Sequence, residues 1–419
     1  MISNLAVLVN ASYRIGKALL WICIVALAGG QALAAAQTAA SALHTDPLNL
    51  DPMVREAYQH FYQLDYDGAI SRFEMVLKSH PQDPMAFDYL QMVIIMRELY
   101  HQDLLDTTYY AHDSFLTSKR NVPVPSKVRE RIEYLTEHAI SLCNKQIQSR
   151  PDNANAYFAR GYARGMHAAF ITLVDHSFVA AARQGLASRN DSEQVLHLDP
   201  DYVDAKMAIG IQQFAVASLP RILRIMVGIA GLNGSRERGL ALLRESAAHG
   251  TVTAVESRTI LSLFLRHDAR YAEALVVQRG LAEQFPHDYL FRLEVANLTK
   301  DEGKGPEAIA VYKQVLADAN RPGYFIDPRL QMAWFGLADT ERGQNEIAAA
   351  ADHYMQAARQ PKCSDWLRRR AELNAGEMLD LLHRRSEAIE QYQQAAAGGG
   401  DQSQADAARI YLKTPYHGR

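Results

Sequence analysis

Between residues 255 and 397 the apolar and polar positions repeat a pattern of paired helices. Each copy sets a small residue four places before a larger one, at Ala274/Gln278, Ala308/Tyr312, Ala350/Tyr354 and Ala388/Tyr392. That spacing puts both residues on one helix face. The copies follow one another at steps of 34, 42 and 38 residues. Residues 65–70, with Phe73, Leu77 and Pro81, fit the same template. Residues 85–100 read as a strongly apolar helix, with Phe87, Leu90, Val93, Ile94 and Leu99 near helical spacing, and are expected to be buried. Small residues at Gly161, Gly210, Ala296, Ala338 and Gly376 are expected where two helix axes approach most closely. Pro81, Pro151, Pro200 and Pro286 fall where a second helix has to stop, because proline lacks an amide proton and clashes with the preceding turn.

A helix, a tight turn and a second helix recurring at about 34 residues resembles the tetratricopeptide repeat family. The resemblance implies an all-α, right-handed superhelical solenoid of antiparallel hairpins whose general task is binding other proteins. It divides the chain into residues 51–254, divergent repeats; 255–397, the regular array; and 398–419, a capping helix and tail. One insertion, residues 319–328, interrupts the regular array. Residues 151–200 run about a dozen residues beyond a standard repeat, so the helices are longer or a loop is added. Ser126 reads as the cap of a helix from Lys127 towards Thr136, and a separate second-helix match carries Ala139, Leu142 and Cys143.

In this family the inner, concave surface is built mainly from first helices. The resemblance therefore implies a groove lined by Arg266, Leu293, Asn297, Lys300, Phe335, Asp339 and Arg342. Arg266, Lys300 and Arg342 recur at one height on three successive units, and the series breaks at Asp380. Such a ladder suits an acidic or carboxylate-bearing peptide, with Asn297 fixing its backbone and Leu293 and Phe335 taking apolar side chains. The bland alternative is that cations near a helix carboxy end complement the dipole.

The amino terminus reads differently. Arg14 and Lys17 precede an apolar run over residues 18–28 and small residues ending at Ala34 to Ala36, the layout of a secretory signal. The expectation is export, to the periplasm or outside the cell, with residues 1–36 removed and 37–50 as linker; the alternative is a retained anchor. Cys23 lies mid-run behind the bulky Ile22, which argues against lipid attachment. Losing two basic residues moves the net charge from −3 to about −5, which argues against nucleic-acid binding. Cys143 and Cys363 lie several repeats apart, so a disulfide is not expected.

Three stretches invite other chemistry. Residues 101–119 gather His101, Asp103, Asp106, His112 and Asp113 around Thr107, Thr108, Tyr109 and Tyr110. They suit either a metal or acid–base site or a helix end with its capping loop. His167, Asp175 and His176 recur nearby, but nine residues between the histidines do not place them on adjacent turns. Residues 215–232 are apolar apart from Ser218, Pro220, Arg221, Arg224 and two glycines, and suit interhelix packing or membrane-surface contact. Residues 219–223, the glycine-bounded run 228–239 and residues 240–245 are similar to a stretch in a eukaryotic tetratricopeptide family associated with lipid droplets and inclusion-body clearance. No Gly-x-Ser-x-Gly, paired-cysteine metal site or dinucleotide loop is present, so neither catalysis nor a cofactor or metal is expected; an enzyme would centre on His112 and Asp113. The leading reading is a non-enzymatic scaffold of the cell envelope with an unidentified protein or peptide ligand. The alternative is a membrane-peripheral or lipid-associated protein using residues 215–232.

Overall fold

A computed structural model describes residues 44–109, 122–219, 233–397 and 402–418. The chain divides into two compact units, residues 1–47 and 48–419. The second holds seventeen α-helices among its described residues, and no strands. They are α1 (Pro52–Phe61), α2 (Tyr66–Ser79), α3 (Pro84–His101), α4 (Ser126–Ser149), α5 (Ala154–Leu173) and α6 (Phe178–Leu198). Next come α7 (Lys206–Ser218), α8 (Arg236–His249), α9 (Ala254–His267), α10 (Tyr271–Gln284), α11 (Tyr289–Asp301) and α12 (Gly305–Ala319). The series ends with α13 (Gln331–Gly343), α14 (Ile347–Arg359), α15 (Asp365–Leu381), α16 (Arg385–Ala397) and α17 (Gln402–Lys413). Each helix packs on its neighbours in sequence, giving hairpins from α1/α2 to α15/α16 with α17 covering the last. The unit is an all-α helical repeat built of helix hairpins packed in sequence order.

Local chemistry sets the helix boundaries. Asp51, Asp65, Asp83, Asn153 and Asp288 accept hydrogen bonds from the first free amides of α1, α2, α3, α5 and α11. Pro81, Pro151, Pro200 and Pro286 each stand two residues beyond the last residue of α2, α4, α6 and α10. Inside the hairpins the turn relies on a left-handed residue: Leu64, Asp103, His176, Ala269, Gly303, Asn345 or His383, with φ between +51° and +84°. In six of the seven, the next amide bonds back to the carbonyl five residues earlier, as Arg270 does to Leu265.

The small-and-large pattern is the packing device. Ala274, Ala308, Ala350 and Ala388 are fully buried, as are Tyr312, Tyr354 and Tyr392. A Cβ on Gly336 would stand 2.6 Å from the Tyr312 ring, and one on Gly376 2.5 Å from the Tyr392 ring. Glycine there lets the tyrosine lie against the helix backbone. Gly210 and Gly239 bring α7 and α8 equally close. As expected, α3 is buried along most of its length.

Two expectations resolve into longer helices. The surplus in residues 151–200 goes into α5 and α6, of 20 and 21 residues. The two helices expected between Ser126 and Pro151 are one helix of 24 residues, in which Ser126 is the first residue and makes no cap bond; Pro125 holds the cap position. The stretch has no glycine or proline to break it. Cys143 and Cys363 are free and buried, and burial pushes both thiols up.

Candidate peptide-binding face

The first helices α9, α11 and α13 carry the implied groove residues, and second-helix tyrosines hold two of the polar ones and Asp380 of α15. Tyr312 donates to Asn297 Oδ1 at 2.5 Å, Tyr354 to Asp339 Oδ1 at 3.2 Å and Tyr392 to Asp380 Oδ2 at 3.0 Å. The core tyrosine of each hairpin thus fixes one polar side chain on the face of its partner helix. In the first copy Gln278 replaces the tyrosine and donates instead to the Phe291 carbonyl of the next hairpin.

The basic series forms a staircase of ion pairs. Arg266 meets Asp301 at 2.6 Å, Lys300 meets Asp339 at 3.1 Å and Arg342 meets Glu377 at 2.9 Å. Every cation is joined to a carboxylate on the next first helix. Burial by itself raises the Asp339 carboxyl, but Lys300 and then Arg370 outweigh it and hold it below the usual carboxylate range.

The face also carries a segment of the chain itself. After the left-handed Asp103, α3 does not turn directly into its partner helix; residues 104–109 run instead across the first helices of the later hairpins. Asp103 accepts from Arg329 Nε at 3.3 Å, Gln331 Nε2 at 2.5 Å and the Ser364 amide at 2.9 Å. Asp106 accepts from Asn297 Nδ2 at 3.2 Å. Thr107 donates to Glu294 and accepts from Arg266 at 2.9 Å, and Thr108 accepts from the same guanidinium at 3.1 Å. The Gln102 carbonyl takes the Trp366 indole at 2.9 Å, and the His101 carbonyl takes Arg329 at 2.7 Å. Burial pushes the Asp103 carboxyl up, partly offset by Arg329 and the Ser364 amide.

The implied groove residues therefore divide. Arg266 and Asn297, 3% and 2% exposed, hold the chain's own segment. Leu293 is part of the packed core, and Phe335 is buried against Tyr354 with Arg370 over its ring. Lys300, Asp339 and Arg342 keep partial exposure. The tail reaches the last rungs: Tyr416 accepts from Arg342 Nη2 at 3.2 Å through its hydroxyl, and its amide donates to Asp380 at 2.8 Å.

Arg329, Gln331, Ser364, Trp366 and Glu294 were not implied by the repeat register. A signal for most of them existed in the two departures from a 34-residue step. The step of 42 holds the α12–α13 insertion that supplies Arg329, and the step of 38 holds an extra first turn of α15 that supplies Trp366. In residues 101–119 the carboxylates of Asp103 and Asp106 are engaged by protein donors, most of them on the later hairpins, with a local bond from the Thr108 amide to Asp106. His112 and Asp113 lie outside the described residues, as do 1–43 and most of the apolar stretch, 220–232. Among the described residues no helix is long and apolar enough to cross a membrane. Asp175 pairs with Arg129 at 2.7 Å, and His176 occupies a turn.

At a second place, where the start of α9 approaches α5, Glu256 lies 3.4 Å from the Tyr162 hydroxyl. Burial raises its carboxyl to about 7, with a further upward push from Asp204. A cleft of about 510 Å³ opens nearby between α1 and the α8–α9 and α10–α11 turns, lined by Arg55, Tyr58, Tyr62, Val255, Phe285 and His287 among others.

No protein-family model and no curated protein matches the sequence. Among solved structures, the chain is similar to the crystal structure of a tetratricopeptide repeat protein from Parabacteroides merdae. The identity is 12%, 77% of this chain and 97% of that one are covered, and the TM-score is 0.35. It is also similar to the crystal structure of yeast Tom70, at 11% identity, 86% and 94% coverage and a TM-score of 0.40.

Proposed function

We propose that the protein is a non-enzymatic interaction scaffold of the cell envelope that binds a protein or peptide on the first-helix face of its later hairpins. The observation that carries this reading is that the face already holds a segment of the chain, residues 101–109, by side-chain hydrogen bonds from four successive hairpin units, the last three residues forming a 3-10 turn. Recognition by a row of polar side chains fixed on rigid helices is how a helical repeat reads an extended chain. Lys300, Asp339 and Arg342 are the rungs that keep partial exposure, and they are assigned to the incoming ligand. The amino-terminal segment, with its basic, apolar and small-residue regions, supports export.

Capture from an envelope extract tests the proposal, using protein from Gln37 onward beside the double variant Lys300→Gln, Arg342→Gln. Both proteins must give the same circular dichroism spectrum. A discrete partner retained by the first and lost by the second is the expected result. Equal retention by both places binding elsewhere, and copurifying lipid without protein favours the membrane-peripheral alternative.

A further inference from the structure

The cleft between α1 and the α8–α9 and α10–α11 turns takes no part in the protein-binding face, and its charge is one-sided. We propose that it binds a small anionic amphiphile, a single-chain molecule with one carboxylate head and an apolar body. The site is separate from the face, so its failure leaves the scaffold reading intact.

No carboxylate lines the cleft, whereas Arg55 and His287 do. The Arg55 guanidinium stands exposed on α1, and among the described residues nothing accepts a hydrogen bond from it. Its acidic neighbours in sequence are taken, Asp51 by the Met53 amide and Glu56 by Arg72. Arg258, on α9, donates from Nη1 to Oε1 of the lining residue Gln284 at 2.8 Å. Its Nε is buried without an acceptor, and no carboxylate among the described residues pairs with it. Burial accordingly pushes this guanidinium below its ordinary range, opposed by Tyr62. A half-buried charge is ordinarily paired, as Arg266, Lys300 and Arg342 are. Glu256 and Asp288, each next in sequence to a lining residue, have carboxyls that burial raises to about 7, which reduces the negative charge they bring.

The rest of the lining supplies an apolar wall. Tyr58 stacks on Tyr62 with ring centres 5.8 Å apart, and Tyr62 meets Phe285 at 4.5 Å, so three rings from two hairpins form one surface. Leu50 is 40% exposed at the cleft, and Val255 and Phe285 keep partial exposure. A volume of about 510 Å³ falls in the range of sites that enclose a small molecule. The ligand's apolar body removes Leu50 and the ring wall from water, and its carboxylate supplies the acceptor that Arg55 and Arg258 lack. An uncharged apolar molecule would desolvate Arg258 further and leave it unpaired.

Titration calorimetry of the full chain with dodecanoate, kept below the concentration at which it forms micelles, tests the inference. One dodecanoate is expected to bind per chain, about tenfold or more tightly than dodecanol or dodecyltrimethylammonium, which share its body but not its charge. The variant Arg55→Gln, Arg258→Gln is expected to weaken dodecanoate about tenfold or more and to leave dodecanol unchanged. Arg55→Gln alone, at an exposed position, should give part of that loss and decides the matter if the double variant does not fold. Dodecanoate binding that does not saturate, that equals dodecanol binding, or that is indifferent to the substitutions overturns the inference. Flotation with phosphatidylglycerol vesicles that the substitutions abolish, without binding of free dodecanoate, also overturns it and assigns the cleft to a membrane lipid. An envelope partner retained by the double variant while dodecanoate is lost is the expected result and separates the two sites. A partner lost together with the two arginines makes the cleft a protein site instead.

Discussion

Glu256 shows how one buried side chain makes the stability of the fold depend on pH. Its carboxyl titrates near 7 in the folded chain against 4.5 for the free group, because burial penalises the charge and Asp204 adds to the penalty. The folded state therefore holds this proton more tightly than the unfolded state. The stabilisation is fully present below about pH 4.5 and is lost as the pH rises through 7. The gap amounts to roughly 3 kcal/mol at most. Urea denaturation from pH 5 to 8 should show the unaltered chain losing about that much relative to Glu256→Gln, which keeps the shape without the charge. Equal slopes for the two proteins would place the titration elsewhere, with Asp288, whose carboxyl burial also raises to about 7, the next to replace. Arg329 is the opposite case, a charge whose partner is in place. Arg329→Met leaves Asp103 without its cation in a buried site, and the loss expected from chemical denaturation is about 3–5 kcal/mol.

At the scale of the hairpin, glycines separate by what surrounds them. Gly376→Ala forces a methyl into the Tyr392 ring and is expected to lower stability by about 1–3 kcal/mol. Gly280→Ala, in α10 with nothing within 4 Å of the new methyl, should raise it by about 0.5–1 kcal/mol. The turns give a second pair: Ala269 and His383 hold a left-handed backbone without glycine, so Ala269→Gly and His383→Gly should each stabilise by about 1 kcal/mol in thermal melts. These elements also mark how far the sequence could be read. Alanine four places before tyrosine identified α12, α14 and α16, and proline two residues past a helix identified four helix ends, since both depend on local sterics. The left-handed turns were not legible, because six of the seven are not glycine and only the closed hairpin imposes the conformation. The candidate face was partly legible. Arg266 and Asn297 follow from the register, but the residues packed against them, 106–108 of the same chain, make a contact across about 160 to 190 positions, which no local pattern encodes.

In the unit as a whole, that contact decides how unfolding proceeds. A stack of hairpins joined only to nearest neighbours unfolds as a chain of coupled units, and long arrays lose cooperativity. Here the early hairpins are tied to the later ones by more than sequence neighbours. Asp103 reaches Ser364, Trp366 reaches back to Gln102, and Tyr100 and Tyr289 share a hydrogen bond. Added to these is the stacking of Tyr62 on Phe285, with ring centres 4.5 Å apart. Two regions that would otherwise melt independently therefore gain and lose structure together. The unaltered chain is expected to unfold in urea through one transition, with tyrosine fluorescence and helicity coincident. In Asp103→Asn, Asp106→Asn the segment keeps its shape but loses its two carboxylate anchors. The transition should broaden or split, the total helicity in the absence of urea remaining the same. If the variant unfolds as one transition at an unchanged midpoint, the two carboxylates contribute nothing to the coupling, and the remaining contacts, Tyr62–Phe285 and Tyr100–Tyr289 among them, join the two regions.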